Sequence, residues 1–167
     1  MLSKSKKIFL FLCITVPFLI YCVYYYGMMI KNAPYKFVEF ESFSFKYGTR
    51  DSLLNSYDSK TGMYQYLNDK DSLVKMHLKL SKNDFLYLHR KAADIGFWDF
   101  PANETGDSVK SGVQPLRYVI EFNYKRKSKR VVFDENFKGD DRLIDANKQV
   151  IKQIDLVLSD KEAREKK

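Results

Sequence analysis

The segment DENFKGDDRLID carries oxygen-bearing side chains at a spacing that could bind calcium. Asp134, Asn136 and Asp145 match positions at which an EF-hand has oxygen ligands. Gly139 matches the glycine of its sharp turn. Lys138, however, brings a cation to a ligand position, and the segment follows a strand pattern where an EF-hand has a helix. We therefore expect a strand-to-helix turn, and the sequence predicts no metal or other cofactor.

The two histidines are the next side chains suited to acid–base or metal chemistry. His77 alternates with lysines on the outward face of a predicted strand, and His89 lies beside the apolar stripe of a predicted helix. No acidic residue stands at a recognisable catalytic spacing from either histidine. The sequence also has no nucleophile elbow and no glycine-rich phosphate loop. The sequence thus predicts no catalytic residue, and enzymatic activity is the less favoured interpretation.

The run YKRKSKR concentrates positive charge in seven residues. Its candidate interaction residues are Arg126, Lys127, Lys129 and Arg130. A nucleic-acid site would also need exposed aromatic side chains or a wider basic surface, and the nearest aromatic side chains are predicted to face inward. Nucleic acid is therefore not a predicted partner, whereas a contact with anionic lipid or with an acidic protein stays open.

The simplest structure for this run is the turn of a β-hairpin. If Tyr124 faces Val131 across the two strands, then Phe122 faces Phe133, and both pairs point into a core. Residues 126–129 then form the solvated turn. In this interpretation the basic run is peripheral to the fold.

Two other segments could carry a binding surface. The segment FWDFP could present Trp98 as an exposed aromatic platform. Large aromatic side chains are usually buried, however, and in that case the segment closes the end of the core. Trp98 is kept as a candidate interaction residue. The polar loop at residues 103–115, NETGDSVKSGVQP, is the preferred place for a site without a recognisable motif, because such loops often carry function.

The apolar run from Ile8 to Ile30 contains no charge. As a helix it reaches roughly 34 Å, which is enough to cross a bilayer core of about 30 Å. The run ends in tyrosines and methionines rather than in the small residues of a signal-peptidase site, so we expect an uncleaved anchor. Both cysteines, Cys13 and Cys22, fall within it, so the rest of the chain has no disulfide and no cysteine-bound zinc.

The flanking charges favour one membrane orientation. Lysines lie on both sides of the run, but only residues 1–7 precede it, and their three lysines resemble the start of a signal anchor. We expect a cytoplasmic N-terminus and an extracytoplasmic domain, either periplasmic or extracellular. The net charge of +8 falls to +5 beyond the run, a moderately basic balance that identifies no partner by itself.

Apolar periodicity outlines the folded part. Alternation predicts strands over residues 37–47, with a bulge near 41–42, and over 63–67, 73–80, 118–124 and 131–133. Spacing of three and four predicts helices over 82–95, capped by Ser81 and Asp84, and over 141–159. Residues 48–62 are predicted to be a loop. The prediction is an α+β domain at residues 31–159, an antiparallel sheet of about five strands with two helices on one face, followed by a charged tail at 160–167.

These observations together favour a binding protein. An anchor, a small domain and no catalytic constellation are typical of a single-pass membrane protein whose extracytoplasmic domain binds another protein. Two alternatives stay open: an inhibitor or immunity-type protein, and a small membrane-tethered hydrolase whose acids and histidines meet only in the fold.

Overall fold

The computed structural model describes residues 4–31, 35–50, 52–68, 70–107, 112 and 114–165. Two compact units follow one another, Met1–Tyr35 and Lys36–Lys167. The first contains helix α1 (Lys4–Lys31). Its span Lys4–Gly27 is, among the described residues, the one helix long and apolar enough to cross a membrane, a test that signal sequences also pass.

The second unit is an α+β domain, as predicted. Its strands are β1 (Phe40–Thr49), β2 (Ser52–Asp58), β3 (Met63–Leu67), β4 (Leu73–His77), β5 (Asn103–Glu104), β6 (Leu116–Tyr124) and β7 (Ser128–Asp134), and its helices are α2 (Lys82–Ile95) and α3 (Asp141–Glu165). They form one sheet in the order β4-β3-β2-β1-β6-β7-β5, in which only β5 runs parallel to its neighbour. The predicted number of about five strands was too low.

Alternation along β1 and β6 builds the core. Phe43 and Phe45 of β1 are each 1% exposed and lie opposite Phe122 and Ile120 of β6. The strand predicted from the alternation over residues 37–47 is therefore present, and these two side chains lie on its inward face. The predicted bulge is confirmed too, because the register shifts between Phe40 and Ser42.

Helix α2 begins and ends where its sequence predicts. The Ser81 hydroxyl accepts a hydrogen bond from the Asp84 N–H, and the Asp84 carboxylate accepts one from the Ser81 N–H at 2.7 Å. This capping box satisfies N–H groups that lack partners within the helix. Gly96 ends the helix at φ 85°, a conformation that costs glycine little.

Helix α3 begins as predicted and ends later. The Asp140 carboxylate accepts a hydrogen bond from the Arg142 N–H at its start. The helix then continues to Glu165, through most of the segment predicted to be a charged tail. Charged pairs four residues apart stabilise this extension, including Arg164 with Asp160 at 3.0 Å.

Strand β2 was predicted to be a loop because its sequence is rich in Ser, Asn and Asp. The chain nevertheless turns tightly from β1 into β2, where a Cβ atom on Gly48 would lie 2.2 Å from the Ser52 carbonyl oxygen. Tyr57 is 1% exposed, and the Asn55 side chain donates to a main-chain oxygen of β1 and accepts from the Leu67 N–H at 2.8 Å. The polar side chains thus bind the neighbouring strands.

The predicted register of the β6–β7 hairpin was wrong. Val131 lies opposite Ile120 rather than Tyr124, and Phe133 lies opposite Tyr118 rather than Phe122. The pairing has slipped by an even number of residues, which leaves every side chain on its original face. All four side chains predicted to point inward are therefore buried: Phe122, Tyr124, Val131 and Phe133.

We expect Phe122→Ala to lower the free energy of unfolding by about 3–5 kcal/mol, because a cavity would form beside Phe43 and Trp98, whose ring centroids lie 4.7 and 5.3 Å from that of Phe122. Leu54→Ala, on the solvent side of β2, should change it by only about 0.5 kcal/mol. Denaturant unfolding of the full chain in detergent measures both. Equal losses would contradict the assignment of the two faces.

Candidate functional site

An open cleft of about 440 Å³ lies between the sheet and α3. We call it the tyrosine cleft, and it is lined by Tyr47, Tyr64, Tyr118, Phe133, Glu135, Lys148, Ile151, Lys152, Asp155, Leu156 and Ser159. Its volume falls in the range of small-molecule binding sites, about 300–1,000 Å³.

The floor of the cleft is a row of aromatic rings on adjacent strands. Tyr47 of β1 lies directly opposite Tyr118 of β6, which in turn lies opposite Phe133 of β7. The ring centroids of Tyr47 and Tyr118 are 5.7 Å apart in a stacked arrangement, and those of Tyr118 and Phe133 are 6.3 Å apart. Tyr64 adds a third hydroxyl from β3.

The wall of the cleft is one face of α3. Its six lining residues recur at spacings of three and four, which places them on one side of the helix. Ile151 is buried at the back, whereas Leu156 is 50% exposed. An exposed leucine inside a concave, aromatic site is apolar surface available to a ligand.

The three tyrosine hydroxyls make no hydrogen bond to any described residue. Burial raises the pKa of Tyr47, Tyr64 and Tyr118, and the negative charge of Asp155 adds to the rise at all three. Asp155 is thus within electrostatic reach of each ring. At neutral pH all three hydroxyls are protonated and can donate or accept a hydrogen bond.

Asp155 is one of the two acids that line the cleft, the other being Glu135. Crowding by the cleft walls raises the pKa of its carboxyl to about 6. Asp155 is nevertheless an exposed residue, so water reaches its carboxylate and the effect on stability is much smaller than full burial would give. Within the described residues Asp155 has no salt bridge, although Lys148 and Lys152 line the same cleft.

The basic candidates do not form a single patch. Arg126 binds Glu39 through two hydrogen bonds, of 2.8 and 2.5 Å, and the Lys125 N–H donates to the Glu39 carbonyl. Lys127 lies in the same tight turn, where its carbonyl accepts from the Tyr124 N–H. The hairpin tip therefore lies against the 3₁₀ turn Phe37–Glu39. Its contact with anionic lipid stays a prediction.

Lys129 and Arg130 diverge from that tip. Lys129 lies opposite Phe122 and turns inward, where its Nζ donates to the Phe100 carbonyl. Burial lowers the pKa of Lys129, so this residue, predicted to belong to the peripheral turn, is part of the fold. Arg130 is exposed on the opposite face, across from Glu121.

Trp98 packs into the end of the core. Its ring lies 5.3 Å from those of His89 and Phe122, between centroids, and the residue is half-buried. His89 is 9% exposed, and its Nδ1 is hydrogen-bonded to the Tyr124 hydroxyl at 2.7 Å. His77 is exposed on β4. The described residues bring neither histidine to a carboxylate and contain no cluster of three metal-ligating side chains.

Asp134, the first residue of the segment with calcium spacing, is held by arginines. It accepts two hydrogen bonds from Arg117, of 2.6 and 2.8 Å, and lies 3.5 Å from Arg50. Burial alone would raise the pKa of Asp134, but these contacts and the Gly106 N–H hold it below its usual value. This cluster fixes the start of the loop at 103–115, of which residues 108–111 and 113 lie outside the described residues.

Glu104 is a second unusual acid. It is 0% exposed, and Asn147, also fully buried, donates a hydrogen bond to one of its oxygens. Burial raises the pKa of Glu104 to about 7, and the other oxygen has no partner in the described residues, like the Asn147 carbonyl oxygen. A protonated Glu104 could donate to that oxygen, so this pair is part of the core rather than an open site.

The residues of the cleft were not predicted from the sequence. Tyr47 and Tyr118 stand at inward positions where neighbouring residues of the same strands are Phe45 and Ile120. A tyrosine at such a position needs water or a hydrogen-bond partner for its hydroxyl. Tyrosines at inward positions of strands whose other inward residues are apolar are therefore the sequence signal that could have identified the site.

Comparison of the chain with protein-family models, curated proteins and solved structures finds no match.

We expect Asp155→Asn to raise the stability of the domain at pH 7. The folded-state pKa lies above the unfolded value, so ionisation between about pH 4 and 6 destabilises the native state, and the amide removes that penalty. The gain should vanish at pH 4, where the wild-type carboxyl is protonated. Thermal unfolding at both pH values measures it.

Asp160→Asn is the matched control on the same helix. It removes a carboxylate already paired with Arg164, so it should not stabilise the domain. A gain of equal size from both substitutions would contradict the special environment of Asp155.

Proposed function

We propose that the chain is a single-pass membrane-anchored binding protein, with its α+β domain outside the cytoplasm and its ligand in the tyrosine cleft. The observation that carries this proposal is the composition of the cleft: aromatic rings around an exposed leucine, with tyrosine hydroxyls and a carboxylate that have no partner among the described residues. A concave, mostly apolar surface with a few polar groups is the usual form of a binding site.

The lack of a catalytic arrangement in the described residues favours binding over hydrolysis. The cleft contains no histidine, and the two buried acids elsewhere are Glu104, bound to Asn147, and Asp134, bound to Arg117. A hydrolase would need a nucleophile beside a base, or a pair of acids about a reacting bond. An inhibitor or immunity-type protein would be one particular kind of binding protein.

Helix α1 supports the anchor. It has the length and the apolar composition for one crossing, and the lysines before it favour a cytoplasmic N-terminus.

The anchor predicts that the chain keeps its N-terminus and stays with membranes after a carbonate wash. The double variant Phe18→Asp/Ile20→Asp should be released, because charges near the bilayer centre oppose insertion. Protease added to cells with an opened outer layer should digest the domain and spare a cytoplasmic marker. A shortened soluble product would refute the anchor, and a protected domain would reverse the orientation.

The cleft predicts a position-specific contact. A photo-crosslinking amino acid in place of Leu156 should give a discrete adduct in membranes of cells that produce the chain. The same amino acid at Leu54, equally apolar but on the outer face of the sheet, should give none. Tyr118→Ala should weaken the Leu156 adduct, since it removes the floor of the cleft. Equal adducts at both positions would place the contact elsewhere.

A further inference from the structure

We propose that Glu104 carries a proton in the native domain and that this proton, donated to Asn147, fastens the edge strand β5 to helix α3. Acid then holds β5 in place, and alkali releases it. This pH-sensitive device goes beyond the proposed function and does not depend on the tyrosine cleft.

The first argument is that the buried pair holds two oxygens without a donor. Glu104 and Asn147 are each 0% exposed. The Asn147 amide donates to one Glu104 carboxyl oxygen, whereas the other carboxyl oxygen and the Asn147 amide oxygen have no partner among the described residues. Buried polar atoms in proteins are nearly always hydrogen-bonded. An ionised Glu104 would leave both oxygens as acceptors that no neighbouring group satisfies.

The second argument is that the Asn147 amide cannot turn around to supply the donor. Its nitrogen donates to the Leu143 carbonyl at 2.9 Å as well as to Glu104, so both of its hydrogens are in use. The reversed amide would place its oxygen against the Leu143 carbonyl oxygen, where two acceptors would repel. Within the pair the donor therefore comes from Glu104, because a protonated carboxyl has one O–H to give.

The third argument is the balance of charges around Glu104. Lys129 of β7 acts on Glu104 and favours its ionisation, but its Nζ donates to the Phe100 carbonyl. Asp99, in the 3₁₀ turn that follows α2, attracts Lys129 as well. From α3 the group that meets Glu104 is the neutral amide of Asn147. The loss of water by the carboxyl outweighs the attraction of Lys129, so the neutral acid is favoured.

The position of the pair connects this proton to the edge of the sheet. Glu104 is one of the two residues of β5, which pairs with β7 alone. The Val132 N–H of β7 donates to the Ala102 carbonyl at 3.0 Å, next to β5. So short a strand makes few backbone hydrogen bonds, and its contact with Asn147 is the link to α3. Ionisation would bury an uncompensated charge, which β5 can relieve by moving into water.

The direction of the pH effect follows from the burial. Burial raises the pKa of Glu104 to about 7 from the model value of 4.5. Its contribution to the closed state is therefore complete below about pH 4.5 and is lost as the pH rises through 7. Between pH 5 and pH 8 this group alone should lower the ratio of closed to open molecules roughly 70-fold.

The test is hydrogen exchange of the full chain in detergent micelles at pH 5 and pH 8, corrected for the intrinsic exchange rate at each pH. The protection of the Val132 amide, which reports on the attachment of β5, should fall roughly 70-fold. The Leu78 amide donates to the Gly62 carbonyl at 2.7 Å, just after β4 at the opposite edge of the sheet. Its protection should fall much less.

Two variants isolate Glu104 from the other groups that titrate in this range, such as Asp155. Glu104→Gln keeps the size of the side chain and offers an amide N–H donor at every pH, so it should hold the protection of Val132 constant. Glu121→Gln, across from Arg130 on the outer face of the sheet, should follow the wild type.

The carboxyl carbon signal of Glu104 in the wild-type chain gives a measurement that needs no variant. Its titration midpoint should lie near pH 7. A midpoint near 4.5, or a loss of Val132 protection that persists in Glu104→Gln, would overturn the proposal. Equal losses at Val132 and Leu78 would overturn the fastening of β5, because the whole domain would then open together.

Discussion

The antiparallel pairing of β1 with β6 is the constraint on which the rest of the domain depends. Because side chains alternate along both strands, this pairing fixes one continuous inward face from Phe43 opposite Phe122 to Tyr47 opposite Tyr118. At one end the face is closed by packed aromatic rings, and at the other end it is open. Along β1 the inward residues change from phenylalanine in the core to tyrosine in the cleft. This change fits the opening of the face, because the hydroxyl of a tyrosine can be hydrated whereas the end of a phenylalanine ring cannot form hydrogen bonds with water.

Local interactions explain the parts of the fold that the sequence predicted. The Ser81–Asp84 capping box, the glycine at position 96 and the alternation in β1 involve residues a few positions apart, so their physics can be read without the rest of the chain. Strand β2 was not predicted, because its polar composition is typical of a loop. Its stability as a strand depends on contacts with distant residues, such as the hydrogen bonds of Asn55 to both neighbouring strands. The hairpin register was wrong because an even slip keeps all faces unchanged, and alternation alone does not distinguish the two pairings.

The candidate site depends on contacts that are distant in the chain. Tyr47, Tyr118 and Asp155 come from two strands and a helix, and none of them belongs to a sequence motif. The cations of YKRKSKR, which are the candidate interaction residues of the sequence, lie in different places in the fold. Arg126 is bound to Glu39 at the hairpin tip, whereas Lys129 turns inward and donates to the Phe100 carbonyl. The dense run of cations in the sequence forms a turn, whereas the acid of the cleft with a raised pKa, Asp155, lies in an ordinary amphipathic helix.

The order of the strands has a consequence for crowding. The sheet ends in β4 on one side and in the two-residue β5 on the other, and β4 is only five residues long with Lys75 at its centre. Short, charged edges discourage sheets of neighbouring molecules from pairing through their backbones. Such protection matters most for molecules confined to a plane, where tethering raises the rate at which copies collide. If the chain is anchored as proposed, the edges of this sheet would let many copies share a membrane without polymerising.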